Sequence, residues 1–239
     1  MSNRPALTPG VRMSIRLPLL FALMLAPLLA GATVVPAVVP APAGDAAPAA
    51  ATTPPPVSPR VLLVTSMGEI LVELDAAAAP ATVGNFLAYV REGHYNGTTF
   101  HRAIPGLLLQ GGAFTSDLQQ KPSRAPVASE SGNGLSNRRG TLAAARDRGV
   151  VDSATAQFFF NLADNPKFDR TDAGSAYTAG YTVFGRVLQG LDVVDRIAAV
   201  PTGARGPFPG WVPRVPVVIE RVELLEPAPA APAPEPARP

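Results

Sequence analysis

The chain has 239 residues and sets 20 lysines and arginines against 18 acidic residues, a net charge of +2 that gives little reason to expect a nucleic-acid partner. It has no cysteine, which excludes disulfides, thiol catalysis and thiolate metal sites. Its two histidines, His94 and His101, have no second ligand at metal-site spacing, so neither a metal nor any other cofactor is expected.

The chain opens with Arg4, Arg12 and Arg16, an apolar stretch over residues 17–30, and Ala30-Gly31-Ala32. A basic start, a short apolar core and an Ala-x-Ala exit predict a secretory signal peptide over residues 1–32, cleaved after Ala32. Met13 is an alternative start, because Met13–Arg16 alone supplies a basic region. The rival reading is an uncleaved membrane anchor. Against it, the apolar stretch is shorter than the roughly 20 residues that span a bilayer, and Pro18 and Pro27 interrupt it. Of the 28 prolines, eight fall in residues 33–59 and six in residues 227–239. These Pro/Ala segments lack the apolar bulk to offset ordering entropy and read as a disordered linker (33–59) and a disordered tail (226–239). The chain therefore reads as exported, to the periplasm, with no stable membrane insertion after cleavage and one folded domain over residues 60–225.

Within that domain, Val61–Thr65 and Glu69–Leu74 are β-type runs joined by a turn at Gly68. In the second, Ile70, Val72 and Leu74 share one face and Glu69 and Glu73 the other. Pro80 suits the first turn of a helix. Val83, Phe86, Leu87 and Val90 follow at helical spacing, and Gly93 is a natural stop. Short apolar strands are expected at Phe100–Ile104, Leu107–Gln110, Thr141–Ala145, Phe158–Leu162 and Thr182–Val187. A second helix is expected from Gly190 to Ala199, and a closing strand at Val215–Leu224. Many short strands, two lone helices and no βαβ rhythm indicate a mainly β domain, a closed antiparallel barrel.

Two runs carry the chemistry. Residues 100–112, Phe-His-Arg-Ala-Ile-Pro-Gly-Leu-Leu-Leu-Gln-Gly-Gly, set the guanidinium of Arg102 near an apolar run and an amide, Gln110. Residues 157–161, Gln-Phe-Phe-Phe-Asn, repeat the theme of an amide beside bulky apolar groups. Neither run offers a nucleophile beside a base, and there is no Gly-x-Ser-x-Gly elbow for a hydrolase. A fixed cation with amide donors on an apolar floor suits a site that holds a peptide and polarises it without covalent chemistry. Arg138, Arg139, Arg146 and Arg148 cluster in sequence and read as a solvated basic loop in preference to a phosphate-binding patch.

These runs resemble the cyclophilin-type peptidyl-prolyl cis-trans isomerases, most closely their bacterial exported branch. So do Asn133-Gly134-Leu135, Arg139-Gly140-Thr141-Leu142-Ala143, Asp152-Ser153 and Tyr181-Thr182-Val183-Phe184-Gly185, in the family's order, over about residues 60–225. The resemblance implies an eight-stranded barrel with a helix at each end. It implies an isomerase acting as a monomer on unfolded or folding proteins and peptides that contain Xaa-Pro bonds. It assigns catalysis to Arg102, Gln110 and Phe159, and substrate binding to Leu107, Leu108, Ala145, Arg146, Gln157, Phe168 and Tyr181. Phe159 would line the proline pocket while Phe158 and Phe160 point into the core. The chain departs from the family's common pattern in having Leu107 for a phenylalanine, Lys167 for a tryptophan, Tyr181 for a histidine and Arg146 for an asparagine. Lys167 implies weak cyclosporin binding. The reduced aromatic content favours the alternative reading, a proline-peptide-binding holdase with little turnover. The small polar segment 170–179 reads as a floppy insertion.

Overall fold

A computed structural model describes residues 58–172 and 174–225. The predicted leader, nearly all of the linker and the tail lie outside the described residues. Eight strands close into a barrel in the order β1-β10-β3-β4-β6-β5-β7-β2, and every adjacent pair is antiparallel. In chain order these are β1 (Arg60–Thr65), β2 (Gly68–Leu74), β3 (Thr98–Ile104), β4 (Leu108–Thr115), β5 (Thr141–Ala144), β6 (Phe158–Asn161), β7 (Val183–Gln189) and, after a separate hairpin, β10 (Val218–Leu225). The expected mainly β barrel with two helices is what the chain forms.

Helix α1 (Pro80–Arg91) buries Val83, Phe86, Leu87 and Val90, the stripe its spacing predicts. It starts without a cap of its own: the carboxylate of Glu130, 48 residues away from Thr82, accepts the N–H groups of Ala81 and Thr82. An anion there satisfies donors that the first turn leaves open and complements the helix dipole. Helix α2 (Leu191–Ala198) buries Val193, Val194 and Ile197. It packs against Gly68 at the start of β2 through Val193, whereas α1 packs against β10. Phe86 of α1 joins Tyr95, Phe158 and Phe184 in an aromatic core with centroid separations of 5.0 to 5.6 Å.

Two expectations need correction. Strand β4 does not end at Gln110 but runs on through Gly111-Gly112 to Thr115. The glycines make room rather than break the strand: a Cβ on Gly111 would lie 3.0 Å from the Phe100 ring. At Gly112, with φ +96°, it would lie 2.8 Å from the Ala156 carbonyl oxygen and 3.0 Å from the Phe158 ring. Gly112→Ala is expected to cost about 2 kcal/mol through clash and left-handed strain, read as a lower urea midpoint. Second, the closing strand starts at Val218 rather than Val215, because Val215 stands exposed before it. Residues 202–213, to which the sequence pattern assigns no element, add one. They form a two-stranded hairpin, β8 (Thr202–Arg205) with β9 (Phe208–Pro213), that lies against β3 through Phe208. Among the described residues, no helix is long and apolar enough to cross a membrane.

Candidate active site

One irregularity of β3 aims the central side chain. Opposite β4 the register steps from Phe100↔Gly111 to Arg102↔Gln110, so β3 carries one extra residue, His101. Side chains alternate along a strand, and without this bulge Phe100 and Arg102 would share a face. With it, Phe100 and Ala103 point into the barrel core while Arg102 stands on the outer face, exposed. The row then continues across the sheet through paired residues: Arg102 beside Gln110, Gln110 beside Phe159, Phe159 beside Ala143, and Ala143 beside Val183.

Polar groups along this row are ordered by their chemistry. Arg102 Nη1 lies 3.5 Å from Gln110 Oε1, and Gln110 Nε2 donates to Gln157 Oε1 at 2.9 Å. A guanidinium has no acceptor, so Gln110 must turn its oxygen to Arg102 and its NH₂ to Gln157. Next to this chain lies a small apolar cluster separate from the barrel core: Leu108, Ala143, Ala145, Phe159 and Val183, backed by Leu107, Phe168 and Tyr181. The rings of Phe159, Phe168 and Tyr181 meet edge-on at 5.3 to 5.7 Å and form an apolar wall. Phe158 and Phe160 point to the opposite side, into the main core, as the strand period requires.

Together these residues enclose a cleft of about 470 Å³. Of the ten site residues expected from the sequence, nine line it: Arg102, Gln110, Phe159, Leu107, Leu108, Ala145, Arg146, Phe168 and Tyr181. Gln157 stands one step behind, in the wall of a small neighbouring pocket, and reaches the cleft through Gln110. A second cleft of about 550 Å³ opens beyond Val183 and Leu135; of its two carboxylates, Glu73 is held by Arg60 and Arg186, and Asp75 accepts from the Ala78 N–H. The first cleft combines an apolar floor of clustered rings with Arg102, a cation that has no carboxylate partner among the described residues.

The walls hang on a buried amide network that motif reading does not reveal. Asn137 Nδ2 donates to the Phe168 carbonyl at 3.1 Å and to Asp169 Oδ1 at 2.9 Å, and Asn137 Oδ1 accepts from Asn161 Nδ2 at 3.1 Å. Asn165 Nδ2 donates to Asn161 Oδ1 at 2.8 Å and to the Leu107 carbonyl at 2.9 Å. Three asparagines thus tie the Leu107 wall to the Phe168 wall. Their only sequence signal is amide side chains next to apolar strands.

The described residues of segment 170–179, which reads as floppy, are hydrogen-bonded at the rim. The Thr171 N–H donates to the Thr178 carbonyl at 3.0 Å, and Asp172 Oδ1 accepts from Thr178 Oγ1 and the Gly174 N–H, each at 2.6 Å. Arg146 fastens it to the site: Nε donates to the Gly180 carbonyl at 3.0 Å and Nη2 to the Ala176 carbonyl, with the guanidinium 4.8 Å above the Tyr181 ring. Arg146 therefore supports the wall as well as bordering the cleft.

Comparison with known proteins agrees with this geometry. The family profile described as cyclophilin-type peptidyl-prolyl cis-trans isomerase/CLD matches residues 60–224. Peptidyl-prolyl cis-trans isomerase A of Dickeya dadantii is 47% identical over 177 residues, covering 74% of this chain and 88% of the relative. Peptidyl-prolyl cis-trans isomerase cyp18 of Streptomyces antibioticus is 51% identical over 165 residues, covering 69% of this chain and 98% of the relative. A crystal structure of a Cryptosporidium parvum cyclophilin-type isomerase superposes with a TM-score of 0.55 at 22% identity, over 72% of this chain and 99% of that one, which supports the fold. With barrel, cleft and sequence in agreement, the chain belongs to the cyclophilin-type peptidyl-prolyl cis-trans isomerases.

Proposed function

We propose that Arg102 catalyses rotation about Xaa-Pro bonds by donating a hydrogen bond to the prolyl nitrogen of a twisted amide, with the proline ring held against Phe159, Leu108 and Phe168. A planar peptide bond resists rotation by about 18–20 kcal/mol because the nitrogen lone pair is delocalised. In the twisted state that lone pair is free and accepts a donor, so a guanidinium aimed at it binds the transition state better than either planar isomer. Five decades of acceleration require about 7 kcal/mol. The observation that carries this reading is the register bulge that places Arg102 beside Gln110 at the edge of an apolar cleft. Gln110 restricts the guanidinium, and Gln157 restricts Gln110. No covalent step is needed, and the residues present offer none.

Exchange NMR on a short Xaa-Pro peptide tests the reading directly. Broadening between the cis and trans signals at catalytic protein concentration is expected. Shifted peptide signals without faster exchange would instead mean a holdase that binds proline without turning it over.

The domain layout belongs to the same proposal: a leader over residues 1–32, a linker over 33–59, the isomerase over 60–225 and a tail over 226–239, acting as a monomer on exported chains in the periplasm. Its support is the arginine-flanked apolar run and the Ala-x-Ala exit. Protein recovered from the periplasm of an expressing bacterium is expected to begin at Thr33 by N-terminal mass spectrometry. Material that keeps Met1 or Met13 and stays in the cytoplasm would refute export.

A further inference from the structure

The cleft is bordered by four cations and no carboxylate. Arg102 stands on β3, Arg146 and Arg148 follow β5, and Lys167 lies in the short 3₁₀ turn Pro166–Phe168. Among the described residues, none of the four is paired with an aspartate or glutamate. The whole chain carries only +2, so the charge at this mouth is a local concentration and not a general property of the surface.

Acidic side chains close by in sequence do not cancel it. Asp169 accepts from the backbone N–H and Nδ2 of Asn137, at 2.7 and 2.9 Å, and so faces the amide network. Asp172 accepts from Thr178 and Gly174 within the rim segment. Asp147 is exposed, and its residue does not line the cleft.

One of the cations is held in place and a second lies over an aromatic ring. Arg146 is fixed by its bonds to Gly180 and Ala176 and by the Tyr181 ring, and Lys167 Nζ lies 5.6 Å from the centre of the Phe168 ring. Both rings belong to the apolar wall of the cleft. A peptide whose proline rests on that wall therefore carries its flanking side chains past positive charge, of which the Arg146 guanidinium is fixed in place.

We propose that the cleft selects prolyl peptides that carry a carboxylate within two residues of the proline and disfavours those that carry a lysine there. The proposal rests on the isomerase reading of this cleft and adds a substrate class to it. Charges at the mouth act on the encounter rate and on the bound state alike, and salt screens both. The proline supplies what the apolar wall recognises, and the carboxylate supplies what the rim recognises.

The test compares capped peptides of one sequence with Glu, Gln or Lys beside the proline, in one set before it and in another after it. Exchange NMR gives kcat/KM and chemical-shift titration gives Kd, each at low salt and at about 0.5 M NaCl. In at least one set, Glu is expected to exceed Lys in kcat/KM by about tenfold at low salt, with Gln between them, narrowing to about twofold at high salt. The double variant Arg148→Glu, Lys167→Glu is expected to abolish or reverse the order. Should that variant fail to fold, the single exposed change Lys167→Gln is expected to lower the Glu-to-Lys ratio by about twofold. Equal kcat/KM for Glu, Gln and Lys in both sets would overturn the proposal. If no peptide is turned over, the isomerase reading fails by itself and the Kd series still decides. Tighter binding of Glu peptides would then uphold the charge preference, and equal Kd values would overturn it.

Discussion

Arg102→Ala is expected to lower kcat/KM for an Xaa-Pro peptide by about 10²–10³, the loss typical when one preorganised donor to a transition state is removed. The fold should survive, because Arg102 is exposed and its one side-chain hydrogen bond is the 3.5 Å contact with Gln110. Peptide binding should change little, since the apolar wall is untouched. The expected signature is a fall in kcat with Kd from shift titration held within about threefold, which marks an interaction made only in the transition state. Arg102→Lys should recover only part of the loss. A single ammonium keeps the charge but lacks the planar fork that can engage Gln110 and the prolyl nitrogen together. Turnover of the alanine variant near that of the parent would sink the donor mechanism, whatever the fold.

The residues around that donor show how far the sequence reaches. Periodicity alone identifies β1, β2, α1 and α2, and it turns Phe158 and Phe160 away from Phe159. The identity of the site comes from the Phe-His-Arg and Gln-Phe-Phe-Phe motifs, because a lone arginine or glutamine has no spatial signature in one dimension. The bulge at His101 is not legible in a residue pattern. The motif carries it silently, and without it Arg102 would face the barrel. Hairpin β8–β9 escapes because it contains Gly203, Gly206, Pro207, Pro209 and Gly210 and buries few side chains, so no two-residue alternation marks it. Gly111-Gly112 reads as a break because glycine usually is one. Here the missing side chains are filled by the Phe100 and Phe158 rings, a relation between strands that sequence distance hides. Segment 170–179 reads as loose from its small polar residues, yet Arg146 binds it from 30 residues away.

The bulge residue itself should make the fold sensitive to acid. His101 is 3% exposed, between Phe114 at 4.7 Å and Phe208 at 5.3 Å, and its Nδ1 has no hydrogen-bond partner. Burial, reinforced by the neighbouring Arg102 charge, lowers its pKa from 6.5 to about 4, and a backbone hydrogen bond at Thr99 offsets only part of this. Below pH 6.5 the unfolded chain therefore takes up a proton that the folded protein refuses. Stability present above that pH is lost as pH falls towards 4, by about 2 kcal/mol between pH 7 and pH 5 and about 3 kcal/mol in all. His94, also lowered by burial, contributes in the same direction. Glu73, Asp192 and Asp195 are lowered from 4.5, 3.8 and 3.8 by their arginine partners, so their loss comes mainly below the pH 5 limit of that window. Urea unfolding at pH 7, 6 and 5 reads the histidine contribution apart from theirs. In His101→Phe, a ring that keeps contact with Phe114 and Phe208 and cannot be protonated, most of the slope should vanish. An unchanged slope in that variant would mean that His101 reaches water and is protonated in place. The hairpin would then not seal the bulge that aims Arg102.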